Sequence, residues 1–377
     1  MPWREVSTMS LRREFVMLAL QEEAHRAKLC GRFGVSRKTG YKWLRRFQAE
    51  GLRGLVDRPR RPEHSPHRSD PVLEAAVVAL RERHPAWGGR KLQRRLRDLG
   101  HRGVPAPSTI TAILHRHGLI EPAQSLKHTA FGRFEHEAPN RLWQMDFKGG
   151  FALEEGRCHP LTVLDDHSRF NLLLHACANE QGTTVQGRLT ETFRRYGLPD
   201  RMTMDNGAPW GSDAEHPFTP LTVWLLRLGV GVSHSRPYHP QTQGKDERFH
   251  RTLGVELLHG RRFRDLRHCQ EHFDCFRDLY NLERPHEALG LATPASRYQP
   301  SARPLPERLP PIEYAPEDVV RKVQAKGELF YRGHVFRIAK ALRGYPVALR
   351  PTTEEGHLGV YFCQHKITEI DLHHPYE

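Results

Sequence analysis

Three carboxylates stand where chemistry could be done. Asp146 lies in the apolar run "RLWQMDFKGGF", which reads as a strand. Asp205 ends a short strand, "DRMTMDNG", and begins a turn, and Glu247 falls in the first turn of a helix that starts near Lys245. Converging carboxylates repel unless positive charge stands between them. Hard cations with oxygen ligands, Mg²⁺ or Mn²⁺, provide that charge and leave positions for water and phosphate. Two such ions about 3.5–4 Å apart clamp the attacking and leaving oxygens of an in-line phosphoryl displacement. Singly, each acid has an ordinary explanation, as a turn cap for Asp205 or a favourable charge at a helix start for Glu247. The ordered set carries the reading. His250 and Arg251 follow Glu247 at i+3 and i+4, on its face of the helix. Asp246, one residue earlier, should point about 100° away, so Glu247 is the expected ligand. Asp165 and Asp166 follow a strand before "HSR" and read as structural.

The charge says what such a centre would act on. Of a formal net charge of +14, residues 1–68 hold +9 and residues 69–138 hold +4. An excess concentrated in one region favours a polyanion, and DNA is the leading partner. In "HRAKLCGRFGVSRKTGYKWLRRFQAEG" one helix ends near Phe33, Gly34 and Val35 turn, and Ser36 caps a second helix. Gly40, Trp43, Leu44 and Phe47 share the core-facing stripe of that helix, while Arg37, Lys38, Lys42, Arg45 and Arg46 lie opposite. A helix, a glycine turn and a basic helix make a helix-turn-helix, whose second helix enters a major groove. Ser36 with these five cations is therefore expected at DNA.

The remaining elements follow from periodicity and punctuation. Residues 1–56 form the helix-turn-helix domain. Residues 57–71 form a basic Pro-rich linker, whose Arg58, Arg60 and Arg61 could act as a minor-groove arm. Residues 72–120 form a second helical DNA-binding domain, and 121–138 a linker. Strands interleaved with helices over 139–299 predict a central α/β core with a mixed sheet. Six prolines make 300–317 an interdomain linker, and short strands between glycine turns make 318–377 a small β-barrel. The fold class is thus multidomain: N-terminal all-α modules, a central α/β core and a C-terminal barrel.

Taken together these residues resemble the DDE-type insertion-sequence transposases with an RNase H-like integrase core. The resemblance covers nearly the whole chain, through "GVSRKTGYKWLRRF", "WQMDF", "LDDHSRF", "DNG", "HPQTQGKDERFHRTL" and "YNLERPHEALG" to the β-rich tail. It implies that Asp146, Asp205 and Glu247 are the catalytic, metal-binding triad on a five-stranded mixed sheet. It further implies that Arg251 contacts phosphate near the cut, that Asn206 orients Asp205 or the terminal nucleotide, and that the tail touches DNA. Lys245, opening the same helix, joins the expected DNA contacts. The implied activity is metal-dependent hydrolysis at transposon ends followed by attack of the freed 3′-OH on target DNA. The partners are then terminal inverted repeats, target DNA and a second copy of the chain, at least a dimer on DNA. Two departures stand out. Asp246 occupies a place where the family usually has an aliphatic residue, and the 41 residues between Asp205 and Glu247 are more than usual, the excess looking like "GSDAEHP".

Other classes recede. The six cysteines show no C-x-x-C pair and the histidines no H-x-x-x-H near the acids, so neither a disulfide framework nor a zinc site is expected. No apolar run approaches the ~18 residues of a membrane span, and the N-terminus lacks a secretory core. A cytoplasmic, nucleoid-associated prokaryotic protein is the expectation. Two rival functions remain: a structure-specific nuclease of the same fold, and a DNA-binding regulator with a retired core.

Overall fold

The computed structural model describes residues 7–58, 69–120, 135–211, 218–234 and 244–374. It divides into two compact units, Met1–Arg68 and Ser69–Glu377. Arg60, Arg61, the "GSDAEHP" insertion after its Gly211 and His239–Gln243 lie outside the described residues.

In the first unit, α1 (Thr8–Ala19), α2 (Arg26–Arg32) and α3 (Arg37–Glu50) enclose Phe15, Val16, Cys30, Trp43, Leu44 and Leu55. Gly34 takes φ +65°, the left-handed conformation a glycine adopts without strain, and turns the chain between α2 and α3. The Ser36 hydroxyl then accepts from the Thr39 amide at 3.2 Å as the N-cap. Gly40 is required by proximity, since a Cβ there would lie 2.6 Å from Cys30 Sγ. Arg37, Lys38, Lys42 and Arg45 are exposed along the outer side of α3. Arg46 is half-buried with its guanidinium over Trp43, and Arg58 pairs with Glu50.

The second unit begins with α4 (Pro71–Arg83), α5 (Gly89–Asp98) and α6 (Pro107–Arg116), packed around Val77, Trp87, Leu92, Leu96, Ile110 and Leu114. The basic character of α5 is partly spent on the rest of the unit. Arg95 pairs with Glu283, and burial together with Arg284 lowers the Lys91 amine to about 8. Only part of this helix is open to a partner. The Trp87 indole donates to Glu256 at 3.3 Å, and Arg284 grips that carboxylate from Nε and Nη2 at 2.7–3.1 Å.

The central sheet runs β4-β3-β1-β5-β6, from β1 (Trp143–Phe147), β3 (Arg157–Asp165), β4 (Asn171–Cys177), β5 (Arg201–Met204) and β6 (Gly231–His234); the two-residue β2 (Phe151–Ala152) pairs with the start of β3. β3 is antiparallel to β1 and β4, while β1, β5 and β6 are parallel. The sheet is mixed as expected, with β2 as an addition too short to show in the sequence pattern. Helix α7 (Gly182–Tyr196) covers one face with Val185, Leu189 and Phe193, joined by Leu221 and Leu225 of α8 (Pro220–Arg227). Helices α9 (Gly244–Leu253) and α10 (Leu266–Asp278) cover the other with Phe249, Leu253, Cys269, Phe273 and Phe276. Each such fully buried side chain is worth about 1.5–3 kcal/mol of transfer free energy. Among the described residues no helix is long and apolar enough to cross a membrane.

The tail differs from the barrel expected. Its four-stranded antiparallel sheet runs β12-β11-β10-β7, from β7 (Val319–Lys322), β10 (Pro346–Pro351), β11 (His357–Phe362) and β12 (His365–Asp371), beside a separate hairpin of β8 (Glu328–Tyr331) and β9 (His334–Arg337). The sheets do not close. Val223 and Leu226 of α8 instead enter one cluster with Leu329, Phe336, Val347, Leu349, Val360 and Phe362. A helix of the core completes the burial that barrel closure would otherwise supply. The Pro-rich stretch leading there is strapped down: Arg303 donates to the carbonyls of Pro199, Leu228 and Gly229, and its own carbonyl accepts from Leu198 N.

Candidate active site

β1 carries Asp146 beside Thr162 of β3, its register partner. Asp205 follows the C-terminal end of β5, and its carbonyl accepts from His234 Nδ1 at 2.9 Å. Glu247 sits in the first turn of α9. Asp205 and Glu247 are exposed, Asn206 is half-buried, and Asp146 is largely buried. Burial and then the charge of Asp205 raise the Asp146 carboxyl to about 7. Glu180 and Glu247 add to the rise, and the Phe147 N–H bonded to Asp146 Oδ1 opposes it.

The side chains packed most closely on Asp146 are others. Asp246, 1% exposed, turns inward, and Asp146, Asp246 and His250 bring one ligand atom each within 4.8 Å of one another. The Thr162 hydroxyl lies 2.8 Å from His250 Nε2, 3.1 Å from Asp246 Oδ1 and 3.0 Å from the Asp146 carbonyl. His250 Nδ1 is 3.9 Å from Asp146 Oδ2. Burial, then Lys148, lowers the His250 imidazole to about 4, so it is neutral at pH 7. Burial, then Asp146, raises Asp246 well above the usual carboxylate range. The expectation that Asp246 points away from Glu247 holds; that direction leads inward to Asp146. Asp246, Phe249, His250 and Leu253 form an i, i+3, i+4, i+7 stripe, the sequence signal that could have shown it.

Other candidates fall on either side of this cluster. Arg251 is exposed and, with Lys148, His250, Gly254, Val255 and His259, lines a hollow of about 530 Å³. Lys245 turns inward, pairing with Asp166 and donating to its carbonyl at 3.1 Å. Asp166 also accepts from Gln144 Nε2, and Asp165 from Ser168 and the Asn140 amide, so this acid pair is committed to structure. The carboxylates of Asp146 and Asp246, which repel one another unless a cation stands between them, offer the oxygen donors a hard divalent ion takes, while the neutral His250 imidazole is engaged with Thr162.

With that arrangement in view, the comparisons are specific. The chain matches the integrase core domain over residues 136–240 and again over 228–294. It carries an integrase core. Ahead of that core, residues 11–63 match a helix-turn-helix domain and 39–114 a homeodomain-like domain; behind it, 318–376 match the C-terminal domain of IS481 family transposases. Helix-turn-helix, integrase-core and IS481 transposase C-terminal matches thus follow one another along the chain. The 31.7 kDa protein of insertion element IS407 from Burkholderia multivorans is 27% identical over 158 residues, 42% of this chain and 55% of that protein. The 39.2 kDa protein of IS476 from Xanthomonas euvesicatoria is 27% identical over 157 residues, 42% of this chain and 44% of its own length. The match therefore spans about half of either relative. The simian T-cell lymphotropic virus intasome shares 15% identity at a TM-score of 0.36, covering 74% of this chain and 94% of that chain.

The buried acids of the integrase core carry a pH signature. Without divalent ions the folded Asp146 and Asp246 hold protons that the unfolded chain releases near pH 4. Stability should therefore fall as pH rises between about 4 and 7. Asp246→Asn keeps a side chain able to bond Thr162 and removes the buried charge. In chelator it should unfold at a higher temperature than wild type at pH 8, by of order 1–2 kcal/mol, with no difference at pH 4. Equal melting at pH 8 would show that Asp246 carries no such cost.

Proposed function

We propose that the protein is a DNA transposase: it hydrolyses a phosphodiester at the end of a mobile element and joins the freed 3′-OH to target DNA. The observation that carries the reading is the integrase core match over residues 136–240 and 228–294, within which Asp146 lies on β1, Asp205 follows the end of β5 and Glu247 stands in the first turn of α9. Asp146, Asp205 and Glu247 would hold Mg²⁺ or Mn²⁺, two ions by the number of carboxylates. Bound there, such ions supply Lewis-acid activation of water and neutralise charge at the scissile phosphate. The chain's own groups do the rest. Arg251 and Lys148 seat the DNA phosphates along the hollow beside Asp146. Thr162 and the neutral His250 hold the Asp146 side of the site in place. Asn206 positions Asp205 or the terminal nucleotide. The chain acts on two ends as at least a dimer on DNA, and Lys245 supports α9 from within.

Helix α3 delivers the substrate, with Ser36 as cap and Arg37, Lys38, Lys42, Arg45 and Arg46 against the duplex; Arg58, Arg60 and Arg61 continue that contact. Lys42→Ala and Arg45→Ala should each weaken binding across sequences and flatten the slope of log affinity against log salt by about 1. An unchanged slope in filter binding would remove those residues from the interface.

The function itself is tested with labelled terminal-repeat duplex, a second target duplex and Mg²⁺. Nicking followed by joined product is expected. Release of fragments without joining identifies a nuclease, and binding without cleavage in either metal identifies a regulator.

A further inference from the structure

The end of the β11–β12 hairpin gathers donors that the proposed chemistry leaves unused. The register sets His357 opposite Asp371. Glu369, two residues before Asp371, shares its face because side chains alternate along a strand. Glu354 stands on the turn before β11. His373 follows β12 so closely packed that a Cβ on Gly356 would lie 2.2 Å from its Nε2. Glu354, His357 and Glu369 bring ligand atoms within 4.8 Å of one another.

The imidazole is the informative member. Its Nδ1 lies 3.2 Å from Glu369 Oε1, while Lys366 Nζ donates to the other Glu369 oxygen at 2.5 Å. Its Nε2 faces Asp371 Oδ1 at 3.8 Å and Glu354 Oε2 at 3.9 Å. A carboxylate that accepts a hydrogen bond from Nδ1–H fixes the tautomer and presents the Nε2 lone pair outward, as in the carboxylate–histidine–metal arrangement. Ligand atoms about 2.0–2.2 Å from one ion stand roughly 3.0–3.5 Å apart. The observed spacing therefore needs a closure of about half an ångström. Glu354, with 73% of its side chain exposed, is free to make it. Lys366 holds Glu369, and His374 with the His373 amide holds Asp371, below the usual carboxylate range, so both are anions at neutral pH.

We propose that His357 Nε2, Asp371 and Glu354 form a binding site for a divalent transition-metal ion of the zinc type, with Glu369 orienting the imidazole. Mixed imidazole and carboxylate donors suit Zn²⁺, Co²⁺ or Ni²⁺ rather than Mg²⁺. The site lies in the β-rich tail and does not rest on the transposase reading.

The test is calorimetric titration of the full chain with Zn²⁺ in saturating Mg²⁺, in an Asp146→Asn, Asp246→Asn background that strips the core cluster of its carboxylates, with Co²⁺ absorption as a second readout. One saturable site is expected, together with a cobalt ligand-field band. Glu369→Gln should weaken binding about 10–100-fold. His357→Ala should abolish both signals. Glu354→Gln, at an exposed position where folding is not at stake, should weaken Zn²⁺ binding at least tenfold. Absence of saturable binding, or binding unchanged in His357→Ala or in Glu354→Gln, overturns the proposal.

Discussion

Asp146→Asn should lower the nicking rate by about 10³-fold or more, roughly 4 kcal/mol of transition-state stabilisation, while leaving DNA affinity nearly unchanged. The asymmetry follows from where the residue stands. Asp146 is inside, bonded to the Phe147 amide and next to Thr162 and His250, whereas the cations expected to bind DNA are exposed on α3 and around the hollow. Asparagine preserves size, burial and the Phe147 bond but removes the negative charge, and with it the repulsion from the neighbouring carboxylates. Its metal-free fold should consequently be more stable than wild type at pH 8. Single-turnover cleavage beside a binding isotherm checks the claim. A slow variant that also binds DNA poorly would indicate a disturbed fold, and a fully active one would exclude Asp146 from the chemistry.

Glu256→Ala should destabilise the second unit by about 3–5 kcal/mol, the largest stability loss expected of a single polar substitution here. Glu256 and Arg284 are each 9% exposed, and the carboxylate also accepts from the fully buried Trp87 indole. Alanine leaves a guanidinium and an indole N–H without their acceptor, inside a seam that already holds Lys91. The double replacement Glu256→Leu with Arg284→Met removes both charges at once and should recover much of that loss. Urea unfolding of the single and double variants decides it. A single variant within about 0.5 kcal/mol of wild type would mean that the pair contributes nothing net.

How far this was legible in the sequence depends on the distance over which each signal acts. The turn at Gly34, the Ser36 cap and the stripe of Trp43 and Leu44 are local, and the structure repeats them residue for residue. Asp146 at a strand position and Glu247 in a first helical turn were likewise readable from short windows. The direction of Asp246 is legible but its consequence is not, because what lies inward of α9 is set by β1 and β3, and Thr162 stands 84 residues away in the sequence. Lys245 and Arg95 look like DNA contacts by charge alone; their partners Asp166 and Glu283 are remote in sequence, and only tertiary packing reveals that these cations are occupied. The barrel failed for a similar reason. Strand content was visible, but whether the strands close on themselves depends on an apolar surface supplied by α8.

That borrowed surface makes the tail a poor candidate for a transferable cassette. Severed ahead of Val319, the remaining chain would leave Val223 and Leu226 wet, and the released strands would lose one wall of their interior. Evolutionary shuffling of this ending between proteins must therefore carry, or find, a matching helix.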